Sequence, residues 1–377
     1  MDQLVKHTLR IVFRVDSSLD IGAGHLMRCL ALANAMKNEG WDCLFICRNL
    51  AGNLSGLIQQ QGFSVTFLDS LQNDLFLTEE NPSLYSKWLS CSWQTDAEQT
   101  IAVLKECAPD LLVVDHYALN DEWENQVRPH YKKLMVIDDL ANRKHSCEVL
   151  LDQTLGRTVS DYVPFLSSSA QVLAGAHYAL LRPEFAQLRE YSLARRAQFP
   201  LEKVIITLGG VDQFNATGKI LDALLLSNLP KSCTVTVIMG EKAPFLNEIR
   251  NQIINLPWLT ELKVDVDNMA TLMAESDLAI GAGGGSSWER CCLGLPTLLA
   301  VLAENQMDNA NALERNEAAV CLGNPFAADF INDLVVIINK IIDDRTILKL
   351  LSHSCRQITK GDGLSLVLNK INQLLSQ

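Results

Sequence analysis

Short apolar runs recur along the 377 residues, each followed by a stretch with helical spacing, and this rhythm leaves few folds open. Strand candidates in the first half are 9–15, 42–47, 63–68, 111–115, 134–138, 148–151 and 171–174. A second cycle begins at 203–208 and continues through 233–239, 261–266, 277–281 and 296–301. Strands alternating with helices specify parallel sheets closed by crossover helices. The expectation is an α/β chain of two doubly wound, Rossmann-like domains, 1–197 and 198–377, facing across a cleft. Ligand would lie at the carboxyl ends of the strands. The charged segment from Leu188 to Pro200 reads as the linker. Residues 71–100 break the rhythm and read as a flap or a helical insertion.

This length exceeds one typical core, which agrees with two domains. A formal charge of −12 and the lack of a basic stripe argue against nucleic acid or an anionic membrane as partner. No apolar run approaches the roughly 20 residues of a membrane span, and the first residues lack a signal-peptide core. The eleven cysteines are scattered in apolar contexts without metal-ligand spacing, so reduced thiols and a cytoplasmic location are expected. No metal and no cofactor are expected; the oligomeric state is not readable.

The segment Arg14-Val-Asp16-Ser-Ser-Leu-Asp-Ile21-Gly22-Ala-Gly24-His25-Leu-Met-Arg28 joins the strand at 9–15 to a helix over about 25–37. Gly22 and Gly24 permit turns and close backbone approach to a ligand. His25 falls in the first helical turn, where the macrodipole disfavours the imidazolium and leaves a neutral base. Its plainer reading is a cap or sugar contact. Asp115-His116-Tyr117 ends the strand at 111–115 and points to the same crevice, for sugar binding or as a simple helix start. Of Asp138-Asp139, one carboxylate contacts sugar or both cap a turn.

Two glycine turns in the second half suit anions. Gly209-Gly210 follows a strand and precedes a helix starting near Asn215, so its amides meet a phosphate or serve tight packing. Gly283-Gly284-Gly285-Ser286-Ser287-Trp288-Glu289-Arg290 joins the strand at 277–281 to another helix. The serines can cap that helix and bond diphosphate oxygens, and Glu289 is placed for ribose hydroxyls. Glu304-Asn305-Gln306 ends the strand at 296–301. Asp265-Val-Asp267 reads as a solvated strand end rather than a metal site, and His7, His130, His145 and His353 carry no signal.

In order along residues 8–325, these motifs resemble the UDP-2,4-diacetamido-2,4,6-trideoxy-β-L-altropyranose hydrolases of pseudaminic (nonulosonic) acid biosynthesis. The matching residues are Arg14, Asp16, Ile21, Gly22, Gly24, His25 and Arg28, then Asp115-His116-Tyr117. They continue with Tyr178 to Phe185 around Arg182, Gly209-Gly210, Gly283 to Arg290, and Glu304-Asn305-Gln306. Gly285 stands where that family carries Ser or Thr. The resemblance implies a GT-B fold, with sugar on the N-terminal domain and UDP on the C-terminal one. It implies water attack at the anomeric carbon with inversion and release of UDP. His25, Asp16 and Tyr117 would then be catalytic: His25 deprotonates water, Asp16 orients the imidazole or binds sugar, and Tyr117 contacts substrate or water. Arg14, Gly22, Gly24, Arg28, His116, Arg182, Gly209, Gly210, Gly283, Gly284, Gly285, Ser286, Ser287, Glu289, Asn305 and Gln306 would bind the UDP-sugar. Helix starts at 211–215 and 285–288 would neutralise the diphosphate. The alternatives are a GT-B glycosyltransferase and a hydrolysing UDP-HexNAc 2-epimerase.

Overall fold

The structure is a computed structural model that describes residues 8–70 and 85–376. It packs as two compact units, Met1–Leu180 with Leu364–Gln377, and Leu181–Gly363.

In the first unit the chain runs β1 (Arg10–Val15), α1 (Gly24–Asn38), β2 (Asp42–Arg48), α2 (Ser55–Gln60) and β3 (Ser64–Leu68). It continues through α3 (Trp93–Cys107), β4 (Leu111–Asp115), α4 (Asp121–Val127), β5 (Lys133–Ile137), β6 (Val149–Asp152) and β7 (Gln171–Ala174). The seven strands form one parallel sheet in the order β3-β2-β1-β4-β5-β6-β7. Strand β1 is apolar on both faces because helices cover both: Ile11 and Phe13 pack toward α1, and Val12 packs toward α3 and α4. The stripe Leu26, Leu30 and Ala33 of α1 is buried, as its spacing predicts.

In the second unit α5 (Pro183–Arg195) leads into β8 (Lys203–Thr207), α6 (Ala216–Leu226), β9 (Thr234–Met239), α7 (Leu246–Ile253) and β10 (Leu259–Val264). Then come α8 (Met269–Ala274), β11 (Leu278–Ala282), α9 (Ser286–Cys292), β12 (Thr297–Ala300), α10 (Met307–Arg315) and β13 (Val320–Gly323). Helices α11 (Phe330–Asp343) and α12 (Thr346–Ile358) close it. Its parallel sheet has the order β10-β9-β8-β11-β12-β13. The last helix, α13 (Gly363–Leu375), adds Leu364, Val367 and Ile371 to the core of the first unit.

Three features differ from the sequence expectations. The charged stretch read as a linker is mostly α5, and the units divide at 180/181 rather than 197/198. Its arginines are structural: Arg196 is buried and donates to the carbonyls of Ser276 (2.7 Å), Leu293 (2.7 Å) and Met273 (2.9 Å). Arg189 likewise reaches the carbonyls of Arg356, Thr359 and Cys292. Guanidiniums that satisfy helix-end carbonyls look like solvated charge in a sequence. Within the segment expected to be a flap or insertion, Ser86–Leu89 is a 3-10 turn and α3 begins at Trp93, capped by Ser92. Residues 71–84 of that segment, like His7, lie outside the described residues. Strand β13 was not expected.

Candidate active site

Strands β1 and β4 are neighbours, with Val15 paired to Asp115, so their carboxyl ends open side by side next to the start of α1. The turn before α1 needs Gly22, whose φ is +78°. Beside Gly24 there is open space. No side chain caps the N-terminus of α1, and His25 is in its first turn. His25 Nδ1 lies 2.5 Å from Asp115 Oδ1. Arg28, one turn along the helix, donates to both Asp115 oxygens, from Nε at 2.6 Å and Nη2 at 2.7 Å. Burial alone would raise the Asp115 carboxyl, but Arg28 and His25 reverse this and hold it well below the usual carboxylate range. An ionised Asp115 assigns the ring proton to Nδ1 and the lone pair to Nε2. Nε2 has no protein partner among the described residues.

An aromatic wall surrounds this imidazole. The Tyr117 ring stands edge-on to it with centroids 4.5 Å apart, and Trp88 does so at 5.8 Å. Trp88 stacks on Tyr117 at 5.5 Å, with Tyr85 against both. The Tyr117 hydroxyl donates to Asp139 Oδ2 at 2.7 Å, and burial followed by the Asp139 charge pushes that phenol well above its ordinary value. Tyr117 is therefore unsuited to proton transfer near neutrality and meets His25 through its ring.

The structure separates residues that the sequence grouped. Asp16 does not touch His25. It is buried, with Arg14 bound to both its oxygens (2.6 and 2.9 Å), the Arg48 amide at 2.6 Å and His116 Nε2 at 3.3 Å. Arg14 is fully buried too, and its Nη2 also reaches Asp96 at 2.6 Å. Asp96 accepts further bonds from Arg48 (2.6 Å) and the Trp123 indole (3.0 Å). Arg14 and Asp16 thus belong to a buried ionic network beneath the site. His116 faces inward with them, its Nδ1 accepting from the Ala118 amide at 3.2 Å. Of the adjacent acids, Asp138 takes the amides of Leu140 and Ala141 and closes a turn, while Asp139 binds Tyr117 and Arg28.

In the second unit the turn after β11 is built on Arg290. This buried guanidinium lies across Gly281, donating to the Ala282 carbonyl (2.6 Å) and to the Ser286 and Ser287 hydroxyls (both 3.0 Å). A Cβ at Gly281 would sit 2.6 Å from Arg290 Nη1, which is why that strand residue is glycine. The serines do not cap α9 as expected. Ser287 is buried, whereas Gly285 is exposed and Gly284 and Ser286 are half-buried. Gln306 braces the neighbouring loop by accepting from the Leu302 amide at 3.0 Å, Asn309 holds the Gly283 carbonyl at 2.9 Å, and Asn305 is exposed. Glu289 is half-buried; burial pushes its carboxyl up to about 7 although Arg182 and Arg290 pull it down. Arg182 itself pairs with Glu184 at 3.1 Å.

Gly209 and Gly210 are exposed beside open space. The α6 start expected to neutralise diphosphate is already filled: Asp212 accepts from the amides of Ala216 (2.9 Å) and Thr217 (2.8 Å), and Asn215 from Gly218. A carboxylate at a helix start occupies the place an anion would take. Among the described residues no cluster of three or more His, Cys, Asp or Glu could hold a metal ion, and no helix is long and apolar enough to cross a membrane. All eleven cysteines are free thiols, nine of them buried.

Residues 205–355 match the glycosyltransferase family 28 C-terminal domain. The chain is 24% identical over 304 residues to the uncharacterised protein MJ1062 of Methanocaldococcus jannaschii, covering 79% of this chain but only 56% of that relative. It is 28% identical over 273 residues to a UDP-2,4-diacetamido-2,4,6-trideoxy-β-L-altropyranose hydrolase of Campylobacter jejuni, covering 72% of this chain and 84% of the relative. It is 23% identical to the spore coat polysaccharide biosynthesis protein SpsG of Bacillus subtilis, over 96% of this chain and 97% of that one. The solved structure of Acinetobacter baumannii MurG superimposes with a TM-score of 0.68 at 14% identity, covering 97% of this chain and 99% of that one. The fold is GT-B, two parallel-sheet Rossmann-like domains, and the family 28 domain and the relatives together support a GT-B nucleotide-sugar enzyme.

Proposed function

We propose that this protein is a UDP-sugar hydrolase that cleaves UDP-2,4-diacetamido-2,4,6-trideoxy-β-L-altropyranose in pseudaminic acid biosynthesis. The observation that carries the reading is His25, with Nδ1 at 2.5 Å from Asp115 and Nε2 free of protein partners among the described residues. UDP is already a competent leaving group, so the enzyme has to place a water, take its proton and stabilise the departing diphosphate. His25 Nε2 accepts the proton as water attacks the anomeric carbon, Asp115 stabilises and orients the imidazolium, and Arg28 holds Asp115 in place. Attack opposite the leaving group inverts the anomeric centre. The sugar is handled by the first unit. The second unit holds UDP through the Gly283–Gly285 turn, Ser286 and the exposed Gly209-Gly210 turn, with Glu289 accepting from ribose hydroxyls.

The similarity to the Campylobacter jejuni hydrolase supports this choice of substrate. The test is UDP release from that nucleotide sugar with no acceptor present, comparing wild type with His25→Ala. A general base contributes about 10²–10⁴-fold, and a loss of that size in kcat is expected. Equal turnover in the variant would remove His25 from the chemistry.

A further inference from the structure

We propose that Asp139 is the positioning residue of this site, clamping the His25 imidazole from two sides. The inference rests on the hydrolase reading. Oδ2 of Asp139 accepts from Arg28 Nη1 at 2.5 Å and from the Tyr117 hydroxyl at 2.7 Å. Both donors touch His25. Arg28 Nη2 is 3.3 Å from its Nδ1 while holding Asp115, and the Tyr117 ring packs edge-on against it at 4.5 Å. The other oxygen, Oδ1, is buried without a hydrogen-bond partner among the described residues. Among the described residues the side-chain hydrogen bonds of Asp139 run to the two groups that frame the imidazole, whereas Asp138 serves the Leu140 and Ala141 amides, the Tyr162 hydroxyl and Arg143.

A buried phenol and a guanidinium each have a strong preference for an acceptor. One carboxylate oxygen shared between them fixes Tyr117 relative to Arg28, and through Arg28 relative to Asp115, the carboxylate that holds the imidazole. Without it, Arg28 keeps its fork on Asp115, but the Tyr117 hydroxyl must turn to find another partner. The ring wall beside His25 then shifts. Misplacement of a catalytic group by an ångström costs on the order of 10²-fold in rate.

The experiment is steady-state kinetics of UDP release by Asp139→Ala, Asp139→Asn and Tyr117→Phe, with the proton spectrum of each enzyme. Asp139→Ala is expected to lower kcat about 10²-fold with KM changed less than about threefold. Asp139→Asn keeps a carbonyl oxygen for both donors and is expected within about fivefold of wild-type kcat. Tyr117→Phe loses one of the two anchored groups, and combining it with Asp139→Ala should cost less than the product of the single losses. The far-downfield proton shared by His25 and Asp115 should persist in Asp139→Asn and broaden in Asp139→Ala. A KM effect without a kcat effect, no rescue by asparagine, or multiplicative losses would overturn the proposal. If Asp139→Ala fails to fold, Tyr117→Phe decides: wild-type kcat and an unaltered downfield proton refute the clamp. The proton spectrum needs no turnover. A wild-type enzyme that releases no UDP but shows this spectral contrast would therefore refute hydrolysis and leave the clamp standing.

Discussion

Arg14 separates a structural from a substrate-binding account of the charges at the end of β1. Replacing it with Met keeps the volume and removes a guanidinium that binds Asp16 at 2.6 and 2.9 Å and Asp96 at 2.6 Å, all three side chains being fully shielded from solvent. Asp96 retains Arg48 at 2.6 Å, whereas Asp16 is left with the Arg48 amide and His116. Breaking one partner out of a buried ionic network costs about 3–5 kcal/mol. At roughly 2–4 °C per kcal/mol for a unit of this size, the first unit should melt about 6–20 °C lower at pH 7. The pH dependence has a definite sign. In the wild type, burial would raise the Asp16 carboxyl, but Arg14 and then His116 reverse this and leave it depressed. A depressed carboxylate contributes stability above its unfolded value of about 3.9, lost only as the pH falls below that. With Arg14 gone, burial dominates and raises Asp16, so protonation relieves the variant as the pH falls. Calorimetry should show the melting gap narrowing from pH 7 to pH 5. A gap below about 2 °C at pH 7, together with a raised KM for the nucleotide sugar, would refute the reasoning and return Arg14 to the substrate.

Three further outcomes are expected. Asp115→Asn offers Nδ1 an amide in place of a carboxylate and should lower kcat by about 10²–10⁴-fold with little change in KM, read by single-turnover UDP release. Gly281→Ala places a Cβ 2.6 Å from Arg290 Nη1 and 3.2 Å from the Thr207 carbonyl, so the turn that Arg290 supports must shift. Titration calorimetry should then show UDP binding weakened by about tenfold or more, while uridine binding changes less. Glu289, its carboxyl pushed up to about 7 by burial, would accept more strongly from ribose hydroxyls when ionised, so UDP affinity should fall as the pH drops from 8 to 6. Glu289→Gln should flatten that profile.

The fold was legible because each sheet is parallel and covered on both faces, which makes its strands continuous apolar runs such as Ile11–Phe13 and Val204–Ile206. The exceptions have physical causes. Strand β13 is short, and its edge residues Val320 and Cys321 are only half-buried, so its apolar signal is weak. Helix α3 opens on Gln94, Thr95 and Asp96, polar residues that suggest a loop, yet Asp96 is buried as an acceptor for Arg14, Arg48 and Trp123. His25 was conspicuous because a glycine turn and a helix start announce it. Its partner was not, because Asp16 and Asp115 are both strand-end acids and only the pairing of β1 with β4 brings Asp115 to the ring. The division of labour between Asp138 and Asp139 depends on which way each side chain leaves the end of β5. Trp88 reaches His25 from the stretch before α3, where the sequence offered no periodicity. The α6 start looked open to anions because glycines precede it, but Asp212 folds back onto its amides.

The most direct test follows UDP-2,4-diacetamido-2,4,6-trideoxy-β-L-altropyranose by proton NMR in deuterated buffer, with wild-type protein and no acceptor. The account predicts UDP and free sugar, first formed as the inverted anomer, with the C2 proton retained and turnover by His25→Ala slowed about 10²–10⁴-fold. Deuterium at C2 would instead mark epimerase chemistry, and turnover only on adding an acceptor would mark a transferase; either would contradict direct hydrolysis.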